Sequence, residues 1–164
     1  MVRYPGPKLT EDEKLEHLYV PVKPTCLQDF RYDYDKKTFE LLHMKTGKKY
    51  FFVSKQQFDK IGEYMIQEFY KIMQSKPFNL KQVLMPLDHK DDELTSPIFV
   101  TPDALTNTDK LLVIVQGIGE VRAGIWGRAL CINESLIVGT ALPFITQAVK
   151  EGYGLIILNP NENR

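Results

Sequence analysis

The sequence predicts an α/β fold in which a parallel βαβ core follows a three-stranded antiparallel meander and a long helix. Three patterns indicate this fold. Aromatic and polar residues alternate over residues 30–53, as they do in half-buried strands. An apolar stripe with helical spacing then covers residues 54–77. Two aliphatic runs follow, at 111–115 and 155–158, and such runs are typical of parallel strands buried on both faces.

Length, charge and cysteine content limit the class of protein. The 164 residues suffice for one hydrophobic core, and a formal net charge of +0 gives no overall attraction to nucleic acid or anionic membranes. The chain begins with polar residues, lacks an apolar run of the ~20 residues that a membrane helix needs, and keeps Cys26 and Cys131 far apart. We therefore expect a soluble chain in a reducing compartment, with two inert thiols.

Composition divides the chain into three segments. Residues 1–25 contain four prolines and read as an irregular lead-in. Residues 26–93 hold the meander and the long helix. Residues 94–164 carry fewer charges and form the predicted α/β part, which we expect to be incomplete.

The meander is predicted from strand alternation and turn residues. Phe30, Tyr32 and Tyr34 occupy alternate positions, the pattern resumes over Thr38–His43, and Tyr50–Val53 closes it. The segments D-K-K and K-T-G-K supply the two turns. Basic and acidic residues share these strands, which favours half-buried core aromatics over a platform for stacking nucleic-acid bases.

The long helix has both a start and a stop signal. Ser54 with Gln57 forms a predicted capping box, and Pro77 marks the end. Seven apolar residues recur at helical spacing and predict the buried face: Phe58, Ile61, Met65, Ile66, Phe69, Ile72 and Met73.

The second half predicts a sheet with a parallel pair. Short strands are expected at Gln82–Leu87 and Pro97–Val100. Leu111–Val115 and Leu155–Leu158 read as two strands joined through a helix at Thr140–Glu151, which is a βαβ unit with a helix expected on each face of the sheet. The loops after the two strands must emerge at the same carboxyl edge, where α/β folds bind ligands.

Those two loops are Gly117–Gly124 and Asn159–Asn163. A dinucleotide fingerprint would need glycine where Arg122 stands, and no G-K-S or G-K-T ending is present, so the loop is not a phosphate cradle. Two interpretations remain for Gly117, Ile118 and Gly119: backbone amides that stabilise an anion or oxyanion, or a strand-to-helix turn with nothing bound.

Four further residues are candidates for a ligand edge or an interaction surface. Arg122 and Trp126 are four residues apart, so on a helix they could stack as a structural pair or contact a ligand. Asn159 and Asn161 could line the same edge or serve as ordinary turn residues. For both pairs the structural interpretation is favoured.

Metal and cofactor sites are not expected. The segment D-H-K-D-D-E, residues 88–93, gathers acidic side chains, but without fixed helical spacing a solvated loop is favoured over a metal site. We predict no metal, no cofactor, no membrane contact and no direct nucleic-acid contact.

Residues 111–164 also carry a family resemblance. In order they contain the G-x-G-x-V-R-A-G-x-W loop, an I-N-E segment, a P-F-I helix and an L-N-P-N-E-N strand end. In these motifs the chain resembles the argonaute-binding (Arb-two type) domain family, which has an α/β-hydrolase-like fold and includes cotranscriptional regulators. The resemblance is strong over residues 94–164 and weaker through the meander and long helix.

The resemblance implies a partial α/β-hydrolase-like sheet and a set of partners. It implies binding to Argonaute proteins and to chromatin or splicing factors, residence in nucleus and cytoplasm, and roles in RNA silencing and alternative splicing. It also implies a hydrolase ancestry, in which a later G-x-S-x-G elbow supplies the nucleophile, followed by an acid and a histidine.

The chain contains no such elbow. Its serines are Ser54, Ser75, Ser96 and Ser135, and its histidines are His17, His43 and His89, all of which precede the glycine-rich loop. We therefore expect no catalytic residue, and a truncated, non-catalytic interaction protein. Two alternatives stay open: half of a serine hydrolase whose catalytic residues lie in a longer form, or a nonfunctional remnant with an unpaired strand edge beside Leu155–Leu158.

Overall fold

The computed structural model describes residues 5–90 and 93–162, and these form two compact units. The first contains the described residues up to Gln67 together with Ala129–Gly139, and the second contains Glu68–Arg128 with the described residues from Thr140 onward. It is a mixed α/β structure with two sheets. In chain order the elements are α1 (Glu11–His17), a 3-10 turn (Leu27–Phe30), β1 (Tyr32–Tyr34), β2 (Leu41–His43), α2 (Lys55–Gln74), β3 (Lys81–Met85), β4 (Ser96–Val100), β5 (Leu111–Ile114), α3 (Arg128–Asn133), α4 (Leu136–Gly139), α5 (Leu142–Lys150) and β6 (Gly154–Ile157).

Helix α1 corrects the prediction that residues 1–25 are irregular. The Thr10 hydroxyl accepts a hydrogen bond from the Glu13 amide at 3.2 Å, and the Glu13 carboxylate accepts one from the Thr10 amide at 2.9 Å. This is a complete capping box, which satisfies two amide donors at the start of the helix. The flanking prolines suggested a loop, although the T-x-x-E signal for a helix was present.

The first sheet corrects the prediction of three meander strands. It contains two antiparallel strands, β1 and β2, and the third strand is reduced to one bridge between Leu42 and Lys49. The chain beyond the bridge uses its polar groups elsewhere, since the Phe51 amide donates to the Tyr32 hydroxyl and the Tyr50 hydroxyl donates to Gln57. Side-chain hydrogen bonds therefore replace the expected strand ladder.

The aromatic residues of this region form a hydrophobic core, as predicted. Tyr32 is completely buried, and Phe30 and Tyr50 are 3% exposed. Seven buried residues make up the cluster: Leu27, Phe30, Tyr32, Leu41, Tyr50, Ile61 and Ile132.

Helix α2 confirms the predicted long helix. The Ser54 hydroxyl accepts from the Gln57 amide at 3.1 Å, whereas the Gln57 side chain bonds to Tyr50 instead of completing the capping box. Ile61, Met65, Phe69 and Met73 from the predicted stripe are fully buried. None of the helices in the described part of the chain is long and apolar enough to cross a bilayer.

The second sheet confirms the predicted parallel pair. Its strand order is β3-β4-β6-β5, with β5 and β6 parallel and the other two pairings antiparallel. The register pairs Leu111 with Gly154 and Ile114 with Ile157. Strand β6 lies between two neighbours, so the expectation of an unpaired edge beside Leu155–Leu158 is wrong, and the edge strands are β3 and β5.

The two faces of this sheet differ in burial. Phe99, Leu155 and Ile157 are fully buried on one face, whereas Leu111 and Val113 of β5 remain about half exposed on the other. The prediction that both faces of β5 are buried is therefore wrong. The described residues cover only about half of these two side chains.

Two histidines are buried side by side in the first unit. The rings of His17 and His43 stack with centroids 4.3 Å apart, and His17 hydrogen-bonds Tyr32 at 2.6 Å and Thr46 at 2.9 Å. Nε2 of His43 has no well-aligned partner in residues 5–90 and 93–162, although the Glu16 backbone lies nearby. Burial lowers the pKa of His43 and lowers that of His17 to about 4.

We predict that acid destabilises the fold through this pair. Unfolded histidine has a pKa of about 6.5, so between that pH and about 4 the unfolded chain binds more protons than the folded chain. His17 alone should lower the free energy of unfolding by about 2 kcal/mol between pH 7.5 and pH 5. Urea denaturation at several pH values measures this. His17→Gln should flatten the pH dependence and His89→Gln, at a partly exposed histidine outside this pair, should not. Equal slopes in both variants would contradict the prediction.

A second prediction concerns Gly124, which has a φ of +69° and would place a Cβ 3.2 Å from a ring carbon of Phe69. Gly124→Ala should cost about 2–3 kcal/mol, because it combines backbone strain with a steric contact. Gly47 has a φ of +65° but opens to empty space, so Gly47→Ala should cost only about 1 kcal/mol. Denaturant unfolding of both variants tests this, and equal losses would refute the steric contribution.

Candidate functional site

The two loops predicted to meet do so at the carboxyl edge of β5 and β6. The Asn161 side-chain amide donates to the Gly117 carbonyl at 2.8 Å and to the Val121 carbonyl at 3.2 Å. Asn161 therefore fastens the loop after β6 to the glycine-rich loop after β5. Asn163, the last residue of the predicted segment, lies outside the described residues.

The glycine-rich loop presents backbone to open space. Gly119 has a φ of +144°, a conformation that side-chain-bearing residues rarely adopt, and no heavy atom lies within 4 Å of where a Cβ would stand on Gly117 or Gly119. The amides of Gly117, Ile118 and Gly119 have no hydrogen-bond partner among the described residues. The Ile118 side chain is fully exposed. The loop can therefore offer amide donors or an apolar contact.

A buried polar cluster lies beneath this edge. Gln116 and Asn159 are each 4% exposed, and the Gln116 amide nitrogen donates to the Asn159 side-chain oxygen at 3.4 Å. Asn159 in turn donates to the Glu162 carboxylate at 2.6 Å, and its backbone carbonyl accepts from the Ser96 hydroxyl at 2.9 Å. The Gln116 side-chain oxygen is buried without a partner in the described part of the chain. One acceptor of the cluster thus remains unsatisfied.

Tyr70 brings a phenol to the same cluster. Its hydroxyl is buried, and the Ala123 backbone and Asn159 side chain lie near it without a well-aligned hydrogen bond. Burial raises the pKa of Tyr70 above its usual range, and the Glu162 carboxylate raises it further. Tyr70 is therefore a neutral phenol whose proton has no acceptor among the described residues.

Sequence reasoning missed four members of this cluster: Ser96, Gln116, Tyr70 and Glu162. A usable signal existed for Gln116, because a single amide directly after a buried aliphatic run lies at the carboxyl edge of the sheet. Tyr70 gave no such signal, since its position on α2 resembles any flank of an amphipathic helix.

Arg122 and Trp126 lie in a loop and not on one helix. The Arg122 guanidinium lies 3.6 Å from the Glu162 carboxylate and donates to the Val121 carbonyl at 3.3 Å. Trp126 packs edge-on against Phe144, with ring centroids 6.4 Å apart. The two predicted partners therefore make separate contacts: Arg122 is an ion-pair residue of the edge, and Trp126 belongs to an aromatic pair.

The other reactive side chains have structural partners. Each serine hydroxyl bonds to backbone: Ser54 to Gln57, Ser75 to Ile72, Ser96 to Asn159 and Ser135 to Val138. Burial raises the pKa of the Cys131 thiol to about 12, which disfavours the reactive thiolate.

The acidic segment 88–93 can be assessed only in part, because Asp91 and Asp92 lie outside the described residues. Across residues 5–90 and 93–162, no group of three or more His, Cys, Asp or Glu side chains could hold a metal ion.

We predict that the polar cluster depends on Asn159. Asn159→Ala removes a hydrogen-bond partner from the Gln116 amide and from the Glu162 carboxylate. It should lower the free energy of unfolding by about 2 kcal/mol, because a buried polar group without a partner destabilises the folded state. Gln82→Ala, at an exposed position of β3, should change stability by less than about 0.5 kcal/mol. Thermal and urea unfolding give both values, and a loss as small for Asn159 as for Gln82 would disprove the role.

Comparison with known proteins places the chain in a family. Residues 23–164 match the family model of the Arb2 domain. The chain is 43% identical over 148 residues to the human cotranscriptional regulator ARB2A. The aligned region covers 85% of this chain and 35% of that protein. A cotranscriptional regulator ARB2A homolog from Dictyostelium discoideum is 34% identical over 137 residues, covering 84% of this chain and 34% of the relative.

A nematode protein matches the chain to a similar degree. A FAM172 family protein homolog from Caenorhabditis elegans is 33% identical over 140 residues, covering 85% of this chain and 44% of that protein. The chain thus spans about a third of the length of the ARB2A relatives it matches. No solved structure matches it significantly. Because the family model covers most of the chain, including both the meander region and the glycine-rich loop, the chain belongs to the Arb2 domain family.

Proposed function

We propose that the chain is a non-catalytic interaction module that binds Argonaute proteins and chromatin or splicing factors. It acts in nucleus and cytoplasm, in RNA silencing and the regulation of alternative splicing. Membership of the Arb2 family supports the proposal, as does the description of its relatives as cotranscriptional regulators. We also propose an α/β-hydrolase-like ancestry, which is supported by the glycine-rich loop that follows a parallel strand.

The observation that carries the proposal is the exposed aromatic pair of the second unit. Trp126 is 39% exposed and Phe144 is 59% exposed, although each packs against the other. Tryptophan and other aromatic residues supply a large share of binding energy at protein interfaces, because they bury much apolar area at low entropic cost. A preformed pair of this kind suits a protein partner.

The polar side chains at the carboxyl edge of β5 and β6 also support an interaction with a protein partner. Arg122 pairs with Glu162, and Asn161 holds the loop carbonyls of Gly117 and Val121. Groups committed to one another in this way hold a loop in one conformation. A loop restricted in this way loses less entropy on binding than an unrestricted one, which suits it to present its fully exposed Ile118 to a partner.

Substitution of the aromatic pair tests the proposal. Trp126→Ala and Phe144→Ala should each weaken binding of the purified chain to purified Argonaute at least about tenfold, because loss of a central aromatic contact costs more than about 1.4 kcal/mol. Interferometry with immobilised Argonaute measures the dissociation constants.

Leu105→Ala is the matched control, because Leu105 is exposed and lies in a turn of the same unit. It should bind as the unsubstituted chain does. Equal affinity of all variants would show that Trp126 and Phe144 do not contact Argonaute. Absence of binding by the unsubstituted chain would contradict Argonaute as the partner. Cooperative melts followed by fluorescence and circular dichroism establish that each variant is folded.

A second candidate function is half of a serine hydrolase whose nucleophile lies in a longer product. The open amides of Gly117, Ile118 and Gly119 favour it, because such donors suit one side of an oxyanion hole. A serine-reactive phosphonate probe should then label the longer product and not this chain. Labelling of neither would exclude this candidate.

A further inference from the structure

The last turn of helix α1 is held by charged side chains from later in the chain. The Glu16 carboxylate accepts a hydrogen bond from the Arg31 guanidinium at 2.6 Å, and its other oxygen pairs with the Lys45 ammonium. Hydrogen bonds between ionised groups are stronger than those between neutral groups. Position 16 is therefore recognised by its negative charge.

His17 fills a cage that contacts both of its ring nitrogens. Nδ1 lies 2.6 Å from the Tyr32 hydroxyl, and Nε2 lies 2.9 Å from the Thr46 hydroxyl. The His43 ring stacks on His17 with centroids 4.3 Å apart, and the Phe51 ring stands edge-on with its centroid 6.3 Å away. The cage fits an imidazole, because histidine is the side chain that has two ring nitrogens for two hydroxyl groups to contact.

Tyr19 adds a contact through its ring and another through its backbone. The Arg31 guanidinium carbon lies 3.9 Å from the centroid of the Tyr19 ring, which is a cation–π contact. The Gln57 side-chain amide donates to the Tyr19 carbonyl at 3.3 Å. Arg31 thus contacts two positions three residues apart, a carboxylate at 16 and an aromatic ring at 19.

These contacts separate into a surface and the segment that lies on it. The surface, which we call the α1 groove, consists of six side chains: Arg31, Tyr32, His43, Lys45, Thr46 and Gln57. All six lie within residues 23–164, which match the Arb2 family model, whereas residues 16–19 precede that match. The groove therefore belongs to the family domain. Each of its members already contacts the segment, so the assignment does not depend on exposed surface.

We propose that the α1 groove is a peptide-binding site, that residues 16–19 occupy it in cis, and that a protein partner displaces them with a segment of the same chemistry. That chemistry is a carboxylate, an imidazole directly after it, and an aromatic ring two residues further on. Of the seven residues of α1, only His17 is buried by the described residues, so polar contacts hold the helix in place. Helices held in this way open more readily than helices with a buried apolar stripe.

This inference is independent of the proposed function. The α1 groove lies in the first unit, whereas Trp126 and Phe144 lie in the second. Loss of Argonaute binding in the Trp126 and Phe144 variants therefore says nothing about the groove, and the two proposals fail separately.

Fluorescence anisotropy with a labelled synthetic peptide of residues 8–22 tests the proposal on the full chain. The segment in the chain competes at an effective concentration of about 1 mM, and the double variant Glu16→Lys, His17→Ala removes this competition. The peptide should bind the double variant at least about tenfold more tightly than the unsubstituted chain. Leu15→Ala, at a 69% exposed position of the same helix, should behave as the unsubstituted chain.

Two further peptides test which side chains are recognised. The same peptide with Glu16→Lys and His17→Ala should not bind the double variant. A peptide with Leu15→Ala and Leu18→Ala should bind it within about threefold of the natural sequence, because the groove contacts neither leucine side chain through a polar group. Equal binding to the double variant and the unsubstituted chain, binding of the first of these peptides, or no binding at all would each overturn the proposal.

Hydrogen exchange on the unsubstituted chain provides a readout that needs no variant. With the unlabelled peptide at several millimolar, the Leu18 amide, which donates to the Lys14 carbonyl, should lose protection as α1 leaves the groove. The amides of α2 should keep their protection. Unchanged protection at Leu18, or an equal loss in α2, would also overturn the proposal.

Discussion

The parallel pairing of β5 and β6 is the constraint on which the second unit depends. It fixes the register from Leu111 to Ile114 and brings the carboxyl ends of both strands to one edge. Only this pairing allows Asn161 to reach the Gly117 carbonyl and Asn159 to reach Gln116. The glycine-rich loop has its conformation because a neighbouring strand end supplies its hydrogen-bond donors.

The same edge contains an energetic imbalance. Among the described residues, the buried Gln116 side-chain oxygen has no donor and the buried Tyr70 hydroxyl has no well-aligned partner, and both conditions cost free energy in a low-dielectric interior. The surrounding pairs, Asn159 with Glu162 and Arg122 with Glu162, hold the cluster together despite this cost. Above this cluster lies the glycine-rich loop, which Asn161 holds by two hydrogen bonds and whose Ile118 side chain is fully exposed.

Sequence patterns predicted most helices and strands correctly, but they predicted the contacts between these elements less well. The stripe on α2, the parallel strand pair and the aromatic core were all readable, because burial imposes a period on the sequence. Helix α1 was missed because prolines on both sides outweighed its capping box. The third meander strand was overpredicted, because nothing in the alternation shows that the Phe51 amide bonds to Tyr32.

By itself, the sequence determined the family, the α/β class and the meeting of the two loops, since these follow from motif order and chain direction. Tertiary structure alone decided that β5 is an edge strand of the second sheet. Strand order depends on which strands pair with one another, and the local sequence of a strand does not specify its partners. It also decided that Arg122 pairs with Glu162 while Trp126 packs on Phe144. Those pairings join residues distant in sequence, and no local pattern records a long-range contact.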